Sequence, residues 1–251
     1  MRFAWPATLV LLLASAVAGR AKAEPLSDAK TIVAHALQAM GGADKLTAIQ
    51  AATWTAKGKF FGYGDGVDYL GSFAAEGVAK GRTRMEFELN GKRQTVIAVL
   101  NADRGWIRTD DELVKLDEKT VHTQQQHAYF IELASLKPLA RHDDGLTLAT
   151  LGEATTEETV AWIIQVSRAG SPDVKLFIDK STHLPSKAEW KDQVMGKVHT
   201  FEILLSNYQE IAGVRFAMRI ESKVDGRLFQ DSDISDFRVV ERLDSSLLEM
   251  P

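Results

Sequence analysis

The chain has 251 residues, with 30 Lys and Arg, 34 Asp and Glu, no Cys, and a formal net charge of −4. The absence of Cys excludes disulfides, thiol catalysis, a zinc–thiolate site and the lipid anchor of a bacterial lipoprotein. The acidic balance argues against nucleic acid as a partner, because phosphates select basic patches.

The first 23 residues have the pattern of a secretory signal. Arg2 supplies a positive start, residues 7–18 are mostly apolar, and Ala21 and Ala23 are small residues where a signal peptidase cleaves. The apolar run is shorter than the about 20 residues that span a bilayer, so cleavage before Glu24 is favoured over an uncleaved anchor. The mature chain, residues 24–251, then carries 27 basic and 34 acidic residues, a net charge of −7. We expect it to be a single domain in a bacterial periplasm, free in solution.

Two short helices are predicted next. Residues 27–40 form an amphipathic helix that Ser27 can cap and that Gly41 and Gly42 end. Its apolar positions recur at helical spacing at Ile32, Val33, Ala36, Leu37 and Met40. Residues 43–49 form the second helix.

From Thr53 onwards the hydrophobic period changes to two, which is typical of antiparallel strands with one apolar and one polar face. Turn signals such as the glycine-rich residues 62–66 separate the strands, and we count about ten or eleven of them. The alternating apolar faces comprise Trp54, Ala56 and Phe60; Met85, Phe87 and Leu89; Val160, Trp162, Ile164 and Val166; and Val214, Phe216, Met218 and Ile220.

One segment departs from this pattern. Residues 117–137 are rich in helix formers and predict a mid-chain helix whose apolar side holds Tyr129, Phe130, Leu133 and Leu136. A flexible charged stretch, residues 141–145, returns the chain to the sheet. Pro138 and Gly145 flank a hinge about which the helix could move.

The sequence contains no recognisable catalytic or metal-binding motif. It has no nucleophile elbow, phosphate loop or histidine pair at metal-ligand spacing. His122 and His127 lie five residues apart on the predicted helix and point about 140° apart, so we interpret them as solvated. A hydrolase that uses His142 and Asp143, or a loop metal site at residues 142–144, is a weaker alternative. We therefore expect a protein that is not an enzyme and that holds no cofactor or metal.

The aromatic residues favour ligand binding. A sheet of about ten strands curls, and the few predicted helices leave much of its concave face to cover. An apolar ligand could bind between the sheet and the helices. The predicted cavity walls are Trp54, Phe60, Phe87, Trp162 and Phe216, and the predicted lid is Tyr129, Phe130 and Leu133.

Several segments together resemble the LolA/LolB-like superfamily of periplasmic lipoprotein-sorting and lipid-binding proteins. They are residues 35–42 with Leu46 and Ile49, residues 101–106, residues 174–185, residues 207–208 and residues 213–216. Ala217 departs from the pattern, because a proline often follows the last aromatic. No strong match to a dedicated lipoprotein carrier is present, so the cargo could be another lipid.

The resemblance implies a mainly β fold, an open antiparallel half-barrel with helices across its concave face. It also implies a cavity that shields the acyl chains of a lipid or lipoprotein during transfer, with a membrane-bound donor or acceptor protein as a possible partner. The first alternative is an envelope-stress sensor on the same fold. The second is an interaction module that uses the exposed edges of the sheet.

Overall fold

The computed structural model describes residues 28–62, 64–89, 91–155, 159–194 and 196–251. The predicted signal segment, its cleavage site and Ser27 lie outside these residues. Within them, thirteen strands form one antiparallel sheet in the order β6-β5-β4-β3-β2-β1-β13-β12-β11-β10-β9-β8-β7. The sheet is not closed, because β6 and β7 are free edges. The predicted open half-barrel is confirmed.

The strands have the following bounds: β1 (Ala51–Phe60), β2 (Val67–Glu76), β3 (Lys80–Leu89), β4 (Lys92–Asn101), β5 (Arg104–Thr109), β6 (Glu112–Lys115), β7 (Thr147–Thr155), β8 (Val160–Ser167), β9 (Val174–Asp179), β10 (Pro185–Val194), β11 (Lys197–Ile211), β12 (Val214–Val224) and β13 (Arg227–Val240). The predicted count of ten or eleven was therefore too low. The short edge strand β6 is exposed throughout and has no alternating pattern that would reveal it.

The helices are α1 (Ala29–Ala39), α2 (Ala43–Ala48), α3 (Glu118–Ala134) and α4 (Lys137–Ala140), with a 3-10 helix at Ser245–Leu248. The three predicted helices are present. Asp28, rather than Ser27, is the N-cap residue of α1, and it makes no capping hydrogen bond through its side chain. No helix in the described part of the chain is long and apolar enough to cross a membrane.

The mid-chain helix is shorter than predicted. It is capped by Asp117, whose carboxylate accepts a hydrogen bond from the Thr120 backbone N–H, and it ends at Ala134. Leu136 then adopts a left-handed conformation, with φ of 61°, before α4 begins. The stretch that was predicted to be flexible is held by ion pairs, because Arg141 contacts both Glu132 and Asp143. The flexibility of residues 141–145 stays a prediction.

Strand pairing assigns each side chain to one of two faces. We call the face that α1 to α4 cover the inner face, and it includes Ile164, Leu176 and Trp190. The opposite surface is the outer face. On β12, Val214 and Met218 are buried on the inner face, whereas Arg215 is exposed on the outer face. The predicted register of this strand is confirmed.

The helices are seated by glycines. The backbone N–H of Arg215 donates to the carbonyl of Met40, and a Cβ on Gly41 would lie 2.2 Å from the Gly213 carbonyl oxygen. Only glycine permits this approach, and Gly41 also has a φ of +115°. Two segments that carry the family resemblance thus meet where α1 joins the sheet.

The β9–β10 turn is another segment of the resemblance, and its role is structural. One carboxylate oxygen of Asp179 accepts hydrogen bonds from the backbone N–H and the hydroxyl of both Ser181 and Thr182, at 2.7–3.0 Å. The carboxylate is buried, which opposes its charge, but the four hydrogen bonds outweigh that effect and lower the pKa of Asp179 to about 2. The turn is therefore fixed by an ionised aspartate.

Candidate ligand-binding site

The inner face of the sheet has two parts. Under the helices, strands β8 to β11 contribute to one large buried core, which includes Ile32 of α1, Phe130 of α3 and Leu139 of α4. Towards the centre of the sheet, a separate cluster is built around Ala56, Tyr69 and Phe87. Among the described residues, this second cluster contains no helical residue. It is the part of the inner surface where strand residues pack against one another.

We call this second surface the apolar trough. Its members lie on the inner faces of β1 to β4, β12 and β13, and many of them are only partly buried. Its members from the cluster are Phe60, Tyr69, Phe73, Met85, Phe87, Val96 and Ile234. Ring contacts extend the trough to Trp54, Phe237 and Phe216, and Phe216 also packs against the core beneath the helices. An uninterrupted set of aromatic and aliphatic side chains can accept a hydrocarbon without polar contacts.

Aromatic stacking organises the trough. Trp54 lies between Phe73 and Phe237, with ring centroids 5.5 and 5.8 Å away. Phe237 in turn contacts Phe216 at 4.3 Å. These separations are those of favourable aromatic pairs, each worth about 0.5–1.5 kcal/mol beyond burial. The wall at this end of the trough is therefore preformed.

The few polar groups of the trough satisfy one another. The Tyr69 hydroxyl donates to the Ser232 hydroxyl at 2.7 Å, and the Gln230 amide donates to both of these oxygens, at 2.9 and 3.1 Å. Buried polar groups that are paired in this way do not require a ligand. The polar groups of the trough therefore do not call for a polar ligand.

Helix α3 bridges the two arms of the curled sheet. Near its start, Val121 packs over Gly105 of β5, where an added Cβ would lie 3.2 Å from the Val121 side chain. Near its end, Phe130 contacts Trp190 of β10, with centroids 5.6 Å apart. Strands β4 to β1 and β13 to β11 lie between these two anchors in the sheet. Val121 and Phe130 are separated by about 14 Å of helix, at 1.5 Å per residue, so α3 joins β5 to β10 over this distance.

The predicted wall residues fall into two groups. Trp54, Phe60, Phe87 and Phe216 lie in the apolar trough. Trp162 lies apart from them on β8, where it stacks on His183 at 5.6 Å and where the Lys180 ammonium lies 5.4 Å above its ring.

The predicted lid residues lie on α3. Phe130 and Leu133 are fully buried in the core beneath the helix. Tyr129 is partly buried, and the Arg168 guanidinium lies 5.6 Å from its ring. The lid side chains thus pack on Trp190 and the core of β8 to β11, beside the trough and not directly above Trp54.

The interpretation of His127 as a solvated histidine was wrong. Its ring contacts Phe201 at 4.7 Å, Trp190 at 5.8 Å and Phe130 at 6.4 Å, and its Nε2 is buried and has no hydrogen-bond partner in the described part of the chain. Burial lowers the pKa of His127, and the nearby Asp192 carboxylate only partly opposes this shift. Neutral His127 therefore belongs to the aromatic packing that anchors α3. His122 is exposed, as predicted.

The two weaker alternatives were a hydrolase that uses His142 and Asp143 and a metal site at residues 142–144. His142 is exposed, and Asp143 pairs with Arg141 at 3.0 Å. Among the described residues, no group of three or more His, Cys, Asp or Glu side chains is arranged to hold a metal ion.

Sequence reasoning missed Phe237 and Trp190. Asp236 adopts a left-handed conformation, and the pairing of β1 with β13 shifts between Thr53 and Thr55. This irregularity places Phe237 beside Trp54, where simple alternation fails. Trp190 lies among charged residues on β10, so the sequence around it does not indicate that its side chain is buried.

Comparisons with known proteins support the fold. No protein-family model and no curated protein sequence matches this chain. A LolA superfamily protein from Nitrosomonas europaea is similar in structure, with a TM-score of 0.51 and 13% sequence identity over 88% of this chain and 97% of that protein. A DUF1329 family protein from Desulfovibrio piger has a TM-score of 0.54 and 12% identity over the same shares of the two chains.

A domain from Vibrio parahaemolyticus, classed with outer membrane lipoprotein-sorting proteins, has a TM-score of 0.51. Its identity is 11%, over 86% of this chain and 94% of that domain. At these identities the comparison concerns architecture alone. The chain has a LolA-like fold, as its sequence motifs predicted.

Proposed function

We propose that this protein binds the acyl chains of a lipid or lipoprotein in the apolar trough, and that it carries or shields them in the periplasm. The observation that supports this most is the trough itself: an aromatic inner surface that the helices leave unfilled, bridged by α3. The likeness to a LolA superfamily protein and to a lipoprotein-sorting domain favours the same role. The role is binding and not catalysis.

Burial of an acyl chain in an apolar trough can supply enough free energy for binding. Burial of one methylene stabilises a complex by about 0.8 kcal/mol. A chain of ten buried methylenes would therefore contribute about 8 kcal/mol before the entropy of association is subtracted. Useful affinity does not require a polar recognition group, and Tyr69, Gln230 and Ser232 are already paired.

Access to the trough is proposed to depend on α3. The helix is anchored at one end by Val121 over Gly105 and at the other by Phe130 on Trp190. Release of either anchor would open the half-barrel on one side. The predicted hinge at Pro138 is buried in α4, and the left-handed Leu136 precedes it. Leu136 is itself fully buried, so we keep the predicted hinge between Pro138 and Gly145 for this movement.

The test uses a fluorescent fatty-acyl probe and two glutamate variants on opposite faces of the same strand, β2. Phe73→Glu places a charge in the trough, whereas Leu70→Glu places the same charge on the outer face of β2, where Leu70 is 63% exposed. We expect Phe73→Glu to weaken probe binding at least tenfold and Leu70→Glu to leave it within twofold. If both variants fold and bind as the parent does, the trough is not the lipid site.

A further inference from the structure

Three arginines lie close together on the outer face of β3 and β5. Arg84 is directly opposite Ile97 of β4, and Ile97 is directly opposite Arg108 of β5. Neighbouring strands are about 4.8 Å apart, so the Cα atoms of Arg84 and Arg108 are separated by roughly 10 Å. Arg82 lies two residues, or about 7 Å, further along β3 on the same face. Their long side chains can reach a common point.

The floor beneath these arginines is rigid and apolar. Ile97, Val99 and Trp106 form a small buried cluster on the outer face. Arg104 lies over the Trp106 ring, with 5.7 Å between its guanidinium carbon and the ring centroid. Arginine stems cover such apolar surface while their guanidinium groups stay in water. The sheet thus presents Arg84 and Arg108, whereas Arg82 also donates to the Leu247 carbonyl of the 3-10 helix at Ser245–Leu248.

Two of the three arginines have no acidic partner among the described residues. Arg84 pairs with Glu86. Within the described residues, Arg82 and Arg108 have no acidic oxygen within 4.0 Å, and Arg82 donates only to the Leu247 carbonyl, at 3.4 Å. Burial lowers the pKa of Arg82, and repulsion from Arg108 and Arg84 adds to that effect. The three guanidinium groups therefore repel one another.

Arg219, another arginine on the outer face, is surrounded by acidic side chains. Arg219 of β12 contacts Asp231 at 2.9 Å, Asp233 at 3.0 Å and Glu221 at 3.5 Å. Arg219 thus has three carboxylates beside it, whereas Arg82 and Arg108 have none among the residues that the structure describes. In a chain with more acidic than basic residues, this local excess of positive charge is a specific feature.

We propose that Arg82, Arg84 and Arg108 form a binding site for a phosphate group, carried by a phospholipid headgroup or by a soluble phosphate compound. A guanidinium group binds phosphate through two parallel hydrogen bonds, and a phosphate offers several oxygens to donors that converge from different sides. The site lies on the opposite face of the sheet from the apolar trough, so it does not depend on the proposed acyl-chain binding. Phosphate binding and acyl-chain binding can therefore be tested independently of each other.

The experiment compares two double variants that each remove two positive charges. Arg82→Gln with Arg108→Gln disrupts the cluster, whereas Lys57→Gln with Arg215→Gln removes two exposed charges from the outer faces of β1 and β12. Binding of inorganic phosphate is measured by calorimetry. Co-sedimentation is measured with vesicles of phosphatidylglycerol and with vesicles of phosphatidylcholine, at low and high salt.

We expect the parent and the control variant to bind phosphate with affinities within twofold of each other, and the cluster variant to bind at least tenfold more weakly. Binding to phosphatidylglycerol but not to phosphatidylcholine assigns the site to lipid headgroups. Binding to free phosphate alone assigns it to soluble compounds, and both results support the site. The proposal is overturned if the parent binds neither probe, or if the cluster variant binds like the parent. Arg108→Gln alone repeats the test if loss of the Arg82 contact to Leu247 prevents folding.

Discussion

Replacement of Asp179 by Asn tests how the β9–β10 turn is held. The carboxylate has a pKa of about 2 in the folded protein, compared with the ordinary value of 3.8, because hydrogen bonds from Ser181 and Thr182 outweigh its burial. A depression of nearly two pH units corresponds to about 2 kcal/mol of stability at neutral pH. Asn keeps the shape and loses the charge.

The pH dependence follows from the direction of the shift. Because the folded pKa is depressed, the contribution is complete well above pH 3.8 and is lost as the pH falls through about 2. We therefore expect Asp179→Asn to lower the free energy of unfolding by about 2 kcal/mol at pH 7, and by roughly half of that at pH 3. Urea denaturation at pH 7, 5 and 3 measures this difference.

The matched control is Asp144→Asn, a charge removal at an exposed residue of the loop before β7. It should change the free energy of unfolding by less than about 0.5 kcal/mol at every pH. The reasoning is refuted if Asp179→Asn costs no more than this control at pH 7, or if its cost at pH 3 equals its cost at pH 7.

Three further predictions concern α3 and the N-terminus. Burial lowers the pKa of His127, so a proton binds more readily to the unfolded chain, and the stability of the fold should decrease as the pH drops below about 6.5. Thermal melts from pH 8 to 5 should show a smaller decrease in melting temperature for His127→Leu than for the parent. The control His122→Leu should show the same decrease as the parent. Gly105→Val would crowd Val121 and should cost about 1–3 kcal/mol in urea denaturation; an unchanged midpoint would show that α3 does not rest there. The intact mass of the exported protein should equal that of residues 24–251, starting at Glu24, and the mass of the full-length chain would contradict cleavage.

The alternation of apolar and polar residues was sufficient to predict most strands and the faces of β12. Val214 and Met218 are buried and Arg215 is exposed, as the period of two requires. The pattern failed where the backbone departs from regular pairing: the irregular register of β1 with β13 placed Phe237 beside Trp54. A local bulge of this kind leaves only a weak trace in a single sequence.

The candidate site was harder to predict than the fold. Trp54 and Trp162 both lie on apolar strand faces, and nothing in their neighbours shows that one lines the trough while the other stacks on His183. That difference depends on which strands α1 to α4 cover. His127 was misjudged for the same reason, since its burial comes from Phe201 and Trp190, more than sixty residues along the chain.

Photo-crosslinking with a fatty acid that carries a diazirine near its methyl end tests the central claim most directly. After irradiation of the complex, mass spectrometry locates the labelled residues. We predict adducts on the inner-face residues of β1 to β3, β12 and β13, such as Trp54, Phe73 and Phe216, and their loss in the Phe73→Glu variant. Adducts confined to the outer face, or to β8 around Trp162, would contradict the account.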